Sequence, residues 1–346
     1  MPSAKILIVG CFAEEHVGAH LLRAADELSV EARFVDLQDS WSSCKWVNRF
    51  WYHCLGHRPV RLSRFSRRIV RLCREFNPGI LLVTGIAAPS APALQAIGTM
   101  PVFRANFLTD DPWNPKNGAN FFWDALKSYD VVYSPRTANL DDLIQHGCRR
   151  VQYLPFAYNP GVHYPEEPVT DVERGRFACD VAIVGGADGD RVPVAQALAD
   201  AGLNLKLYGG YWDRWPSLKP YWQGFAVGRE LRLAVSRARV HVCLVRRANR
   251  DGHAMRSLEL PAMKACLVAE DTVEHRELFG EDGACVEYYT TIPALLSKVK
   301  GLCGQPARCR LMGAKVYERI CQQGRHTYTD RLRQILERSN VERPPG

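Results

Sequence analysis

Short apolar runs alternate with longer stretches of helical period along almost the whole chain, and this alternation limits the fold more than any other feature. Strands that alternate with helical patterns build a parallel sheet whose two faces are covered by the crossover helices. In the first half, KILIVG (5–10), EARFVD (31–36), GILLVT (79–84), PVFRAN (101–106), VVYS (131–134) and VQYL (151–154) read as strands. Helices are expected between them at about 17–29, 59–76, 90–97, 118–127 and 136–146. Residues 155–177 then carry four prolines and no sustained period, which reads as a linker. The alternation restarts with CDVAIVGG (179–186), a helix at 190–200, NLKLYGG (204–210), a helix at 228–236 and ARVHVCLV (238–245). A helix from Met255, ACLVAE (265–270), ACVEYY (284–289) and helices near 291–302, 306–323 and 327–338 complete it.

The expected fold is α/β, with two Rossmann-like doubly wound domains facing across a cleft. A length of 346 residues, 47% of them hydrophobic, accommodates two cores. The expected division is an N-terminal domain at 1–155, a proline-rich linker at 156–177 and a C-terminal domain at 178–325. Residues 326–346 would form a helix that packs back on the N-terminal domain, followed by a tail. In open α/β sheets ligands bind at the carboxyl ends of the strands. The loops after Gly10, Asn106, Gly186, Tyr208 and Val245 are therefore where chemistry is sought.

Composition narrows the setting. A formal net charge of +8 points to anionic partners without choosing among phosphates, nucleic acid and a membrane surface. None of the 12 cysteines forms a Cys-x-x-Cys pair, and several, such as Cys243 and Cys266, sit inside apolar runs. Small buried thiols in a reducing compartment explain this better than a disulfide frame or a zinc site. The start, MPSAKILIVGC, lacks the basic flank and long apolar core of a signal peptide, and no run reaches the roughly 18 apolar residues of a membrane span. A cytoplasmic protein is expected.

Two loops in the second half carry candidate ligand groups. In VGGADGDR (184–191) the chain leaves a strand, turns on Gly185 and Gly186 and enters a helix at about Asp190, an arrangement that can aim backbone N–H groups at a phosphate, with Arg191 adding charge. The spacing is not G-x-G-x-x-G, and glycines after a strand occur in any α/β fold, so both readings stay open. In DGHAMRSLELPAMKACLVAED (251–271), Asp251 and His253 precede a helix whose first N–H groups, at residues 253–256, are expected to be unpaired. Arg256 suits a diphosphate, and Glu259, one turn on, can accept hydrogen bonds from the two hydroxyls of a ribose. The plain alternative is an exposed i, i+3 ion pair worth a few tenths of a kcal/mol. Leu258, Leu260 and Met263 instead mark the helix as docked.

The stretch HVCLVRRANRDGHAMRSLELPAMKACLVAEDTVEHRELFGEDGACVEYYT resembles the donor-binding half of GT-B glycosyltransferases, especially the spore-maturation CgeB-like group. The resemblance extends to YLPFAYNPGVHYP, VAIVGG…R, LKLYGGYW, YWQGF and HTYTDRLRQIL, and so spans about residues 150–338. It implies that Glu259 binds the donor ribose and Arg256 the diphosphate, with the base near Tyr208 and Gly209. Many retaining members carry Glu-x7-Glu. Here Asp251 holds the first position, one methylene short, which leaves the stereochemical outcome open. The small glycine pair usual after this helix is replaced by Lys264 and Ala265.

In the first half, His16 stands at the mouth of the first strand, where inverting plant-type GT-B enzymes put their general base. An imidazole there can take a proton from an acceptor hydroxyl, with Asp110 or Asp111 orienting it; the alternative is an exposed loop histidine. FLTDDPWNPKNGANFFWDAL (107–126) joins those carboxylates to Trp113, Phe121 and Trp123, aromatic faces that suit an acceptor sugar ring. Either aspartate can instead cap a turn before Pro112. The Asp-Asp pair raises the metal-dependent GT-A architecture, but GT-A chains have one sheet unit and a D-x-D motif, so no metal and no cofactor beyond the donor is expected.

Residues 45–74 hold nine Lys or Arg with Trp46, Phe50, Trp51, Tyr52 and Phe65 interleaved. Leu62, Phe65, Ile69, Leu72, Cys73 and Phe76 form one helical face and the arginines the other. This reads as a docked helix with a solvated basic face, or as a surface for anionic lipid or an acidic acceptor at the inner face of a membrane. The second half has no matching basic stripe, so nucleic acid is not expected. The expected function is metal-independent transfer of a hexosyl group from a UDP- or TDP-type nucleotide sugar to an acceptor held by the N-terminal domain. The alternatives are a nucleotide-sugar epimerase or hydrolase of the same fold, or a non-catalytic nucleotide-sugar-binding partner protein. No dinucleotide fingerprint opens the first βαβ unit, which argues against a dehydrogenase.

Overall fold

The computed structural model describes residues 5–341. Contacts divide the chain into two units, one running to Pro155 and including Ala248–Arg250 and the chain from Tyr328, the other comprising Phe156–Arg247 and Asp251–Thr327. The first unit is built on β1 (Lys5–Gly10), β2 (Glu31–Asp36), β3 (Ile80–Thr84), β4 (Phe103–Phe107), β5 (Val131–Ser134) and β6 (Val151–Tyr153). They form one sheet in the order β2-β1-β3-β4-β5-β6 with every neighbour parallel. The second unit is built on β7 (Cys179–Val184), β8 (Leu205–Tyr208), β9 (Ala238–Cys243), β10 (Leu267–Glu270) and β11 (Glu287–Tyr289), in the order β11-β10-β9-β7-β8 and again parallel.

Continuous apolar runs make the central strands, as burial on both sheet faces demands. Ile6, Leu7, Ile8 and Val9 of β1 are fully buried. One face of this sheet packs Leu7, Val9, Leu81 and Val83 against Phe65, Ile69 and Phe76 of the helix Leu62–Phe76, whose arginines face solvent. In the second unit Val181, Ile183, Val240, Val242 and Val268 pack with Val194, Leu198, Leu295 and Val299. Seven of the 12 cysteines are buried free thiols, as their apolar surroundings imply. Among the described residues no helix is long and apolar enough to cross a membrane.

Four elements differ from the sequence expectation. Residues 156–177 belong to the second unit and end in a helix, Asp171–Phe177, so they are not a linker along their whole length. Its start is a capping box: Thr170 Oγ1 accepts the Glu173 N–H while the Glu173 carboxylate accepts the N–H groups of Val169 and Thr170. Lys45–Cys54 and Val273–Phe279 are further helices, too short to show a clear period. The helix read at 306–323 is α-helical over Pro306–Tyr317 and widens into a π-helical segment at Glu318–Gln323.

Candidate functional site

In the second sheet β7 lies between β8 and β9, so the connections leaving β7 and β9 diverge to opposite sides. A crevice at the carboxyl ends of such a pair is the standard ligand position in a doubly wound sheet. The loop after β7 carries Gly185 and Gly186 and packs backbone to backbone against the loop after β8. Gly185 N–H donates to the Tyr208 carbonyl at 2.8 Å and Ala187 N–H to that of Gly210 at 2.9 Å. Gly209 adopts φ +128, and a Cβ there would lie 2.6 Å from the Gly185 carbonyl carbon and 2.7 Å from its oxygen. The glycines are thus required by the close approach of two loops. The N–H groups of Gly185 and Ala187 are used by that packing, which corrects the expectation of a loop whose amides all face a phosphate.

The loop after β9 leads into the helix Arg256–Ala262. Its start is bolted down by Ser257 and His275, both fully buried. His275 Nδ1 lies 2.7 Å from the Glu270 carbonyl oxygen and so carries the ring proton there; Nε2 then accepts from Ser257 Oγ at 2.8 Å, and Oγ accepts the Ala254 N–H at 3.0 Å. Burial also pushes the His275 pKa down, which keeps the ring neutral and able to accept. Ala254 N–H is therefore occupied, and the expectation that all four N–H groups of 253–256 are unpaired does not hold.

This bolt fixes the pair expected from the sequence. Arg256 Nη1 contacts Glu259 Oε2. The Glu259 side chain is 1% exposed and that of Arg256 26% exposed, so this is not the solvent-facing i, i+3 pair of the plain alternative. The His163 ring lies near the other carboxylate oxygen, beyond direct hydrogen-bond reach. Its Nδ1 accepts the Asn159 N–H at 3.1 Å, which leaves the proton on Nε2, 3.7 Å from Glu259 Oε1. A buried carboxylate held between a guanidinium and an imidazole keeps its remaining lone pairs as oriented acceptors.

Other expected donor-site residues divide. Arg191 is buried, and its guanidinium contacts the Asp188 carboxylate and lies 3.4 Å from the Gly186 carbonyl oxygen. Burial lowers its pKa from the ordinary arginine value, and Asp188 opposes that shift. It braces the loop, and its charge is already paired. Arg246, whose Nε is 3.7 Å from Asp188 Oδ2, is the more exposed cation of this group. Asp251 is half-buried, and its N–H donates to the Arg246 carbonyl at 3.2 Å. His253 is fully buried with Nε2 accepting the Phe156 N–H at 3.2 Å, a strut inside the second unit where a ligand contact was expected. Tyr208 is also buried, with its hydroxyl pKa raised by desolvation. A hollow of about 730 Å³ lined by Cys179, Arg237, Lys264 and Cys266 opens at the other, amino-terminal ends of these strands.

In the first unit His16 is exposed between β1 and the helix Val17–Glu27, its carbonyl accepting the His20 N–H at 3.2 Å. Asp111, expected as a catalytic or orienting carboxylate, is fully buried and structural. Its Oδ1 accepts from Trp113 N–H at 2.9 Å, Asn139 Nδ2 at 3.1 Å and Arg250 Nη2 at 3.2 Å, and its Oδ2 from Arg250 Nε at 2.6 Å. Asp110 accepts more weakly, from Thr109 Oγ1 at 3.3 Å and Asn249 Nδ2 at 3.3 Å, and is half-buried. Of the acceptor-site aromatics, Phe121 and Trp123 pack against the core. Trp113 is 36% exposed, edge-on to Trp123 and beneath the Arg250 guanidinium at 5.4 Å.

Residues 191–337, which include the Arg256–Glu259 helix, match a protein-family model described as Glycosyl transferase-like. That stretch holds Arg256, Ser257, Glu259 and His275, while His163, Gly185 and Gly186 lie before it. Sucrose-phosphate synthase from Thermosynechococcus elongatus superposes on the whole molecule with a TM-score of 0.68 at 10% identity, covering 98% of this chain and 98% of that chain. Anabaena HepE, solved in complex with UDP-glucose, gives 0.64 at 12% identity over 97% and 99%. A protein described as a UDP-N-acetylglucosamine 2-epimerase, from Listeria monocytogenes, gives 0.55 at 13% over 99% of each chain. At these identities the likeness shows the fold, two Rossmann-like α/β domains of the GT-B glycosyltransferase type. No curated protein matches the sequence.

Within this glycosyltransferase-like stretch, Ser257 and His275 escaped the sequence reading, as did His163 outside it. Ser257 follows Arg256 directly, and its hydroxyl reaches back to the N–H of Ala254, three residues before it, opposite to the forward reach of an N-cap, so the spacing does not mark it. His163 lies 96 residues before Glu259 in the chain, and no local pattern links the two.

Proposed function

We propose that the protein is a glycosyltransferase that takes a hexosyl group from a UDP- or TDP-type nucleotide sugar bound by the second unit. The observation that carries this reading is the buried Glu259 carboxylate, held by Arg256 and near His163 at the start of the helix that follows β9. A vicinal diol offers two O–H donors to such a carboxylate, and the partly exposed Arg256 can turn one face to a diphosphate. Arg246 takes over the role first given to Arg191. These cations stabilise the departing diphosphate, so the reaction needs no metal and EDTA leaves turnover unchanged. His16 acts on the acceptor hydroxyl with Asp110, and Trp113 offers the acceptor a ring face. The Arg-x-x-Glu helix supports a CgeB-like assignment, and its free thiols suit a cytoplasmic enzyme.

The test is isothermal calorimetry with UDP, TDP and their glucose conjugates on the wild type and on Glu259→Ala. Binding of at least one nucleotide, weakened tenfold or more by the substitution, is expected; unchanged affinity in Glu259→Ala refutes the assignment. The likeness to the Listeria epimerase favours one second reading, a nucleotide-sugar epimerase or hydrolase. Donor consumed without any acceptor would decide for it.

A further inference from the structure

We propose that the helix Lys45–Cys54 of the first unit is an interfacial anchor that docks the protein on an anionic lipid bilayer. The ten-residue helix has no buried residue, and Trp46 and Phe50, one turn apart on one ridge, are 78% and 60% exposed. Val47, three residues before Phe50, widens the apolar ridge at 38% exposure. Large apolar side chains left in water on one contiguous ridge mark an interaction surface, whereas single exposed ones need no explanation. Lys45 and Arg49, also one turn apart and exposed, flank that ridge.

The opposite side is tied to the protein. Asn48 exchanges hydrogen bonds with Ser42, at 2.9 Å from Ser42 N and 2.8 Å to Ser42 O. Tyr52 Oη donates to the Lys116 carbonyl at 2.6 Å, and its ring stacks on His57 at 4.0 Å. The helix is thus held with its aromatic ridge outward.

Charge identifies the occupant. Residues 45–74 contain nine Lys or Arg and no Asp or Glu, while the whole chain carries +8, so everything outside these thirty residues sums to −1. The arginines of the helix Leu62–Phe76 are exposed. Basic groups alone fit any polyanion. An aromatic ridge flanked by cations on a helix with nothing buried fits the headgroup region, where indole and phenyl rings enter the acyl boundary and cations meet lipid phosphates.

Sedimentation of the full chain with vesicles tests this. Wild type is expected to sediment with phosphatidylcholine:phosphatidylglycerol 7:3 vesicles and not with pure phosphatidylcholine. Trp46→Ser/Phe50→Ser should lower the partition at least about tenfold, because the inserted apolar area is lost. Both side chains are exposed, so the melting temperature should not change, and Lys45→Glu/Arg49→Glu provides a second exposed variant with the same expected loss. No binding to the anionic vesicles, or equal binding to the neutral ones, overturns the proposal. So does undiminished binding of the Trp46→Ser/Phe50→Ser protein together with equal binding of heparin or DNA by both proteins, which would assign the surface to a soluble polyanion.

Discussion

Removing Arg256 should cost far more stability than removing Glu259, although the two form one ion pair. Exposed i, i+3 pairs on helices contribute roughly 0.2–0.5 kcal/mol. Here the carboxylate is 1% exposed and the guanidinium 26%. Arg256→Ala leaves a buried charge without its main partner, a change that costs about 3–5 kcal/mol in buried pairs. His163 remains 3.7 Å from the other oxygen, which sets the expected loss at the low end, about 3 kcal/mol. In Glu259→Ala the freed guanidinium can turn to water, so the loss is the hydrogen bond and some methylene packing, about 1–2 kcal/mol. The double variant leaves no stranded carboxylate and should resemble Glu259→Ala alone. The coupling energy is then about 3 kcal/mol, far beyond the scatter of independent sites. Urea denaturation of the full chain for the four proteins measures it, with midpoint shifts at constant slope. Saturating UDP adds a second axis: at a hundred times the wild-type Kd it should stabilise wild type by about 2.7 kcal/mol and Glu259→Ala, bound tenfold or more weakly, by about 1.4 kcal/mol or less. If Arg256→Ala costs under about 0.5 kcal/mol and the cycle is additive, Glu259 is not a buried carboxylate held for a ligand.

His241, fully buried in β9 with Nε2 3.1 Å from the Val235 carbonyl oxygen, has its pKa pushed down to about 4 by burial. The unfolded chain takes up that proton first, so the contribution is whole above about pH 6.5 and is lost as pH falls toward 4, by up to about 3 kcal/mol. Stability measured against pH should show a shallower acid limb in His241→Gln, and superimposable limbs would contradict the burial argument. Gly209→Ala forces a Cβ into the Gly185 backbone and should cost about 3 kcal/mol and weaken nucleotide binding by displacing the loop after β7. Gly224→Ala, at φ +84 with nothing within 4 Å, provides the control and should cost only about 1 kcal/mol of backbone strain. Equal melting temperatures for the two variants would mean that the close approach of the loops is unimportant.

What the sequence disclosed follows from the range of each interaction. Short apolar runs located the central strands because burial on both sheet faces leaves them continuous, as at Ile6–Val9, while the edge strands β2 and β6 are only partly buried. Arg256 and Glu259 were legible because their partnership spans one helical turn. Arg191 pairs with Asp188, three residues before it, so that partner too lies within reading distance in the sequence. Asp111, by contrast, was illegible. Its partner Arg250 lies 139 residues on, and only the fold brings the guanidinium to it. The helix Asp171–Phe177 was hidden because prolines at 155, 160, 165 and 168 mask a capping box that begins only at Thr170.

The distribution of charge separates the two kinds of recognition proposed for this chain. Outside residues 45–74 the formal charges nearly cancel, so the second unit has no large positive field with which to draw in a doubly charged diphosphate. Its affinity must come from groups placed within a Debye length, about 8 Å at physiological salt, and oriented before the ligand arrives. The structure supplies that orientation at a cost in stability: a carboxylate taken out of water, a neutral His275 anchoring Ser257, and two glycine loops pressed together. Each is a fixed local arrangement that selects by geometry. The basic segment works the other way: its cations are exposed, and although Arg68 pairs with Asp39 and Arg71 with Glu75, the positive charge is in excess and spread out, which suits a surface of diffuse negative charge and no particular shape. A single substitution at Glu259 should therefore weaken the first kind of recognition tenfold or more, while the second should erode in small steps as individual cations are removed.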